Sequence, residues 1–292
     1  MNAGPFPELA RHFHPTVVPT RNRTLRIGVL NLMPRLETYE PGLLAAVGSA
    51  GVPFTPVGIR LESHAYRSSD PAHLAAHYQT IDQALSTGPL DGLLLTGAPV
   101  EELPFEAVRY WAELQQVLDY ARDHVGSTLG LCWGGMALAA REGGVKTGLP
   151  QKLFGAFEHV VTPAGAALLG VEAGSAFICP QSRHATITAE SIARTDGRLR
   201  VLGHSDAVGA TLLATPDQRV VMHLGHPEYA PSRIAFEWTR DRDLGRTDVP
   251  HPAGYDAEGT TPVVSWAKDS ERLFGAWLRV VAARSPVALA TT

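Results

Sequence analysis

Two hydrophobic rhythms alternate along the first half of the chain. Short runs that are almost wholly apolar, bounded by Gly or Pro, read as strands buried on both faces. Between them, apolar residues recur every three to four positions, as in helices with one buried face. Leu25-Arg26-Ile27-Gly28-Val29-Leu30-Asn31-Leu32 is the first such strand and stops at Met33-Pro34. Glu40 to Val47 follows as a helix packed by Leu43, Leu44 and Val47. Phe54 to Ile59 is a weaker strand, because Pro56 lacks a ladder donor and belongs towards a sheet edge. Residues 61–78 hold His64, Tyr66, His73 and His77 in a polar loop and short helix. Their spacing matches no common metal site, so they read as surface histidines. Gly92-Leu93-Leu94-Leu95-Thr96-Gly97-Ala98-Pro99 is a buried strand entering a glycine loop, and Pro104 opens a helix with Val108, Trp111, Leu114, Leu118 and Ala121 at helical spacing. The next strand completes a βαβ unit, which implies a parallel sheet with right-handed crossovers and a site at the carboxyl ends of its strands.

That next strand ends in Gly130-Leu131-Cys132-Trp133-Gly134-Gly135, followed at once by a helix-forming run. Gly-x-Cys-x-Gly is the cysteine form of the nucleophile elbow, in which glycines allow a sharp turn between strand and helix. A thiol there faces a helix N-terminus, which favours the thiolate, and the N–H of Trp133 points where an oxyanion would form. A buried, inert cysteine closing a core strand is the competing reading, and the rest of the chain decides between them.

After about residue 150 the runs shorten and turn signals crowd together. Leu153 to Val161, Ala176 to Cys179, Leu199 to Gly203, Thr211 to Ala214 and Arg219 to Leu224 are strand-like, with Pro216-Asp217 as a hairpin connection, so this part of the sheet is expected to be partly antiparallel. Helices are expected from Ser232 to Arg242 and from Asp269 to Ala283, separated by a long Gly- and Pro-rich loop from Pro250 to Pro262. Residues 1–24 form an arm, 25–284 a single domain and 285–292 a tail.

Composition narrows the functional classes. The 292 residues are 45% hydrophobic and 18% charged with net charge −4, which provides no basic footprint for nucleic acid and no cationic cluster for a membrane surface. With no signal-peptide pattern and no membrane-length apolar run, the reading is a cytoplasmic enzyme whose two cysteines, Cys132 and Cys179, are free thiols.

The stretch Val220-Val221-Met222-His223-Leu224-Gly225-His226-Pro227-Glu228-Tyr229 supplies a base. In extended backbone, residues two apart point to one side, so Glu228 can orient and charge-stabilise the His226 imidazole while the other ring nitrogen meets a nucleophile. Together with the elbow this is a Cys-His-Glu triad: Cys132 as nucleophile, His226 as general base and acid, Glu228 as orienter.

Cys132 with Gly225-His226-Pro227-Glu228 resembles the class I glutamine amidotransferase-like superfamily. The resemblance implies a flavodoxin-like α/β three-layer sandwich with a mostly parallel sheet and antiparallel additions. Within that superfamily, several longer stretches look like the homoserine O-acyltransferases of methionine biosynthesis. They are Leu30-Asn31-Leu32-Met33-Pro34, Leu95 to Glu101, Phe105-Glu106-x-Val108-x-Tyr110-Trp111, Ser127-Thr128-Leu129, Lys152-Leu153-Phe154-Gly155, Ser182-Arg183-His184 and Gly225 to Tyr229. The resemblance implies ping-pong acyl transfer from acyl-CoA through a Cys132 thioester to a small hydroxy amino acid, with CoA as substrate and neither metal nor bound cofactor. It places the oxyanion on the N–H groups of Trp133 and Ala98, and the acceptor on Lys152, Ser182 and Arg240. In this family, glycine at the position of Glu101 accompanies a succinyl donor and glutamate an acetyl donor. A glutamate fills the space and repels a succinyl carboxylate, so acetyl-CoA is the expected donor. The family is often dimeric, which makes a homodimer an expectation.

The chain also departs from the family pattern. Arg35-Leu36 stands where lysines usually follow Met-Pro, Trp266-Ala267-Lys268-Asp269 replaces Trp-Arg-Ser-His, and the elbow continues with the small pair Gly134-Gly135. L-Homoserine is the first acceptor, with L-serine or another hydroxy amino acid as alternatives and succinyl-CoA as the alternative donor. The rival from another class is a glutaminase subunit using the same triad, and the non-enzymatic rival is a binding protein with a vestigial elbow.

Overall fold

The apolar runs of the first half line up side by side. The structure, a computed structural model, describes residues 24–285; the expected arm, except its last residue, and nearly all of the expected tail lie outside the described residues. In chain order the elements are β1 (Leu25–Leu30), α1 (Leu36–Gly48), β2 (Phe54–Ile59), α2 (Pro71–His77), β3 (Tyr78–Gln79), α3 (Ile81–Ser86), β4 (Gly92–Leu95), α4 (Trp111–His124), β5 (Ser127–Leu131) and α5 (Trp133–Arg141). The second half adds β6 (Lys146–Val161), α6 (Pro163–Leu169), β7 (Ala176–Ile187), α7 (Ala189–Ala193), β8 (Arg200–Ser205), β9 (Gly209–Ala214), β10 (Val220–His223), α8 (Pro231–Asp243) and α9 (Ala267–Arg284).

All ten strands join one sheet in the order β3-β2-β1-β4-β5-β10-β9-β8-β6-β7. From β3 to β10 neighbouring strands are parallel; from β10 to β7 every pair is antiparallel. Two apolar cores cover its faces, one built by α1, α6 and α9 and the other by α3, α4, α5 and α7. Alternate residues of one strand therefore enter different cores: Ile27 and Val29 face the first, Leu30 the second. This is the expected three-layer α/β sandwich with antiparallel additions.

Several elements differ from their sequence reading. Pro104 opens a 3-10 turn (Phe105–Ala107) and α4 begins only at Trp111, because Val108 is extended. The interruption stacks Phe105 on Trp111 at 4.7 Å between centroids. Strands β6 and β7 are far longer than their apolar segments; Gly148 and Pro150, which look like turn residues, are absorbed by a register shift between Gly148 and Leu153. Helices α3, α6 and α7 are too short to show a period in the sequence, although Thr80, Thr162 and Thr188 cap their N-termini. Pro56 pairs only with β1, since β3 meets β2 at Gly58 and Ile59, so the proline costs no outer ladder bond. Among the described residues no helix is long and apolar enough to cross a membrane.

The loop from Pro250 to Pro262 is strapped onto β6. Ala253 donates to Phe154 O at 3.0 Å and Ala156 donates to Ala253 O at 2.8 Å. Gly155 makes the contact possible: its φ is +120°, and a Cβ there would lie 2.2 Å from the Ala253 nitrogen. Gly155→Ala is therefore expected to lower stability by about 2–4 kcal/mol, combining backbone strain with overpacking. The urea midpoint measures the loss.

Candidate active site

The carboxyl ends of β4, β5 and β10 meet at one point. Cys132 follows β5 with φ 48° and ψ −115°, a conformation that L-residues avoid, and caps α5. Glycines on both sides permit it: a Cβ on Gly130 would lie 2.6 Å from Gly134 O, and one on Gly134 would lie 2.5 Å from Thr96 O. The Cys132 N–H is anchored to His223 O at 2.8 Å, which ties the elbow to β10. From the β4 loop, Gly97 closes the site: a Cβ there would stand 3.3 Å from Cys132 Cβ and 3.4 Å from His226 Cε1.

His226 lies just past β10, with its ring beside the Cys132 side chain. Its Nδ1 meets Glu228 Oε1 at 2.7 Å, as the two-residue spacing suggests. The ring is buried and stacked on Tyr229 at 4.0 Å between centroids. Burial alone disfavours the imidazolium, but the charges of Cys132 and Glu228 outweigh it and raise the His226 pKa well above its ordinary value. The arrangement thus favours the protonated form of the His226 ring. Tyr39 of α1 donates to the same Glu228 Oε1 at 2.7 Å, and burial first, then the Glu228 charge, keeps its phenol protonated. No sequence signal marks Tyr39, because it reaches Glu228 only through packing of α1 against the sheet end.

Trp133 opens α5 and Ala98 lies in the β4 loop, both buried. Neither amide N–H bonds a backbone carbonyl in the loops of the described residues. Glu101 stands opposite the thiol: Oε2 is 4.0 Å from Cys132 Sγ, while Oε1 accepts the His184 N–H at 2.9 Å. Burial is the largest influence on Glu101 and raises its pKa, against the His184 hydrogen bond and the His226 charge. Lys146 holds the loop by donating to Glu101 O at 2.7 Å and to Leu103 O.

The proposed acceptor residues gather on the antiparallel side. Lys152 of β6 lies 3.0 Å from Asp241 Oδ2 and 3.6 Å from Glu237 Oε2. Ser182 of β7 donates to Glu237 at 2.6 Å, and its carbonyl is 4.0 Å from Cys132 Sγ. Arg240 is half-exposed and paired with Asp241. Glu237 also receives Arg233 Nε and Tyr229 Oη, each at 3.0 Å. Arg233, Glu237 and Asp241 are absent from the sequence reading, although their four-residue spacing places them on one face of a helix. Cys132 and Cys179 are both free, and Cys179, a residue of β7, is buried in the core.

A cysteine on a strand-to-helix elbow and a His-Glu pair just past the neighbouring strand sit on a sheet whose fold is glutamine amidotransferase-like. Solved structures share the fold. A putative GMP synthase component from Thermoplasma acidophilum aligns with TM-score 0.58 at 14% identity, covering 93% of this chain and all of that one. A glutamine amidotransferase from Thermotoga maritima aligns with TM-score 0.57 at 12% identity, covering 90% and 98%. In sequence the likeness is narrower. Residues 17–287 match the family described as homoserine O-succinyltransferase. The homoserine O-acetyltransferase of Brevibacillus brevis is 36% identical over 88% of this chain and 84% of its own. Those of Bacillus cereus and a Jannaschia species are 37% identical over 88% of this chain, covering 85% and 82% of theirs. The chain belongs to the homoserine O-succinyltransferase family.

Glu237 gives a pH test of the charge cluster around Lys152. Burial works to raise its pKa, but Lys152, Arg233 and Ser182 prevail and lower it from 4.5 to about 2. A depressed carboxylate stabilises the fold above its unfolded pKa and loses that contribution as pH falls through the folded value. Glu237→Gln should therefore cost about 3 kcal/mol at pH 7. In denaturant unfolding at stepped pH, the gap from wild type should close between about 4.5 and about 2.

Proposed function

We propose that the protein is a cytoplasmic homoserine O-acetyltransferase, a single domain over residues 25–284 that works by ping-pong chemistry as a homodimer. The observation that carries the donor choice is the Glu101 carboxyl, 4.0 Å from the sulfur on which the acyl group would be held. A two-carbon acetyl group can lie beside that carboxyl, whereas a longer succinyl chain would have to pass it and, when the carboxyl is ionised, bring two carboxylates together. The curated relatives named homoserine O-acetyltransferases support the same choice.

In the first half-reaction the Cys132 thiolate attacks the thioester carbonyl of acetyl-CoA. The oxyanion is taken by the amides of Trp133 and Ala98, a contribution of about 3 kcal/mol per donor. The tetrahedral intermediate collapses by breaking the bond to CoA sulfur, and His226 supplies the proton to the leaving thiolate. The Cys132 thioester remains. In the second half-reaction His226 removes the proton from the acceptor hydroxyl, whose oxygen attacks the thioester and regenerates the thiolate. Glu228, held by Tyr39, keeps Nδ1 of His226 engaged so that the other ring nitrogen faces the reacting atoms.

The acceptor side suits an amino acid. Lys152, Arg233 and Arg240 surround Glu237 and Asp241. The cations can hold an α-carboxylate and the acids an α-ammonium group. Homoserine is the acceptor favoured by the family, and the replaced Trp266-Ala267-Lys268-Asp269 segment makes L-serine the necessary control.

Intact-mass analysis tests the scheme directly. Acetyl-CoA should add one acetyl group, absent in Cys132→Ala and discharged by L-homoserine, with no ammonia released from glutamine. If neither acetyl-CoA nor succinyl-CoA labels Cys132, the assignment is overturned. Glu101→Gly should shift the succinyl-to-acetyl ratio of kcat/KM at least about tenfold towards succinyl-CoA, the scale of a pocket-filling change. An unchanged ratio removes Glu101 from donor selection.

A further inference from the structure

His223 stands between the two halves of the catalytic pair, yet none of the chemistry described above uses its side chain. It is the last residue of β10 and only 1% exposed. Its backbone carbonyl accepts the Cys132 N–H at 2.8 Å. Its imidazole Nδ1 accepts the Gly225 N–H at 3.0 Å, immediately before His226. One residue thus ties the nucleophile through its main chain and the approach to the base through its side chain. Strand β10 stops there, so the Gly225 amide lies beyond the ladder and relies on this ring for its acceptor.

The segment that follows has little freedom. His226 N–H donates to Pro180 O at 2.8 Å, and a Cβ on Gly225 would stand 2.5 Å from that oxygen and 2.4 Å from Gln181 Nε2. Gly225 is therefore pressed against β7 while its N–H is turned back onto His223. Burial, followed by the charges of His159 and His226, keeps the His223 imidazole neutral, which Nδ1 needs in order to accept.

We propose that His223 is a positioning residue: its neutral Nδ1, by accepting the Gly225 N–H, sets the turn that aims His226 at Cys132. The proposal rests on the assignment of Cys132 and His226 as nucleophile and base. The ring is required as the Nε2–H tautomer, with Nδ1 bare. It contributes to geometry in both half-reactions and not to substrate binding, so its loss should appear in kcat and not in KM.

Two variants separate the acceptor from the bulk. His223→Leu keeps an apolar side chain of similar size and removes the acceptor; His223→Asn places an amide oxygen near the position of Nδ1. With purified full-length protein, acetyl-CoA and L-homoserine, His223→Leu should lose about tenfold or more in kcat, as expected for a stranded buried amide, with both KM values within about twofold. The rate of Cys132 acetylation should fall in parallel, and His223→Asn should recover most of it. A folded His223→Leu protein as fast as wild type, or His223→Asn as slow as His223→Leu, overturns the proposal. If His223→Leu does not fold, wild-type protein labelled with 15N-histidine decides. An unprotonated, hydrogen-bonded Nδ1 at His223 supports the proposal, and a protonated Nδ1 sinks it. The two assignments fail separately. A wild-type Cys132 that takes no acyl group removes the triad, whereas an acetylated Cys132 with an unaffected His223→Leu variant removes only the positioning role.

Discussion

Everything in this structure is arranged around a cysteine held in a backbone conformation that it would not adopt alone. At φ 48° Cys132 carries strain on the order of 1–3 kcal/mol, and a free chain would relieve it. The relief is blocked because the backbone of β5, the first turn of α5 and the end of β4 touch through glycines, leaving no room for another path. The anchor from Cys132 N–H to His223 O extends the constraint to the strand that delivers the base. Strand order does the rest: β10 lies beside β5 although 88 residues lie between Leu131 and Val220, so Cys132 and His226 emerge at adjacent strand ends.

The antiparallel half of the sheet adds a second wall to this frame. A parallel sheet ending at β10 would present Cys132, His226 and Glu228 with nothing beside them. Strands β9, β8, β6 and β7 turn back, and β7 passes so close that the Ser182 carbonyl and the carboxyl held by the His184 N–H both approach the sulfur. Helix α8 then lays Glu237 and Asp241 against Lys152. The outcome is a thiol with the Glu101 carboxyl on one side and, beyond the Ser182 carbonyl, a buried cluster of paired charges. The proposed reaction needs separate places for an acyl donor and an amino-acid acceptor. The buried charges are tolerable because each has several partners: Glu237 receives Lys152, Arg233, Ser182 and Tyr229, and a lone charge at that depth would cost several kcal/mol, on the order expected for any unpaired buried ion.

What the chain determined by itself is local and periodic. The run lengths of β1, β4 and β5 could be read because strands buried on both faces must be apolar throughout. The elbow could be read because only glycines allow it, and the Glu228–His226 pairing because two-residue spacing in extended chain points both side chains one way. Tertiary structure decided what depends on distant partners. The length of β6 and β7 comes from their mutual pairing, which absorbs Gly148 and Pro150; Phe105 leaves the helix expected from Pro104 to stack on Trp111; Tyr39 finds Glu228 across the sheet end; and His223 becomes a link only once β10 ends beside β5. Such partners carry no periodic signature in the sequence, because the physical reason for each lies in a neighbour brought close by packing.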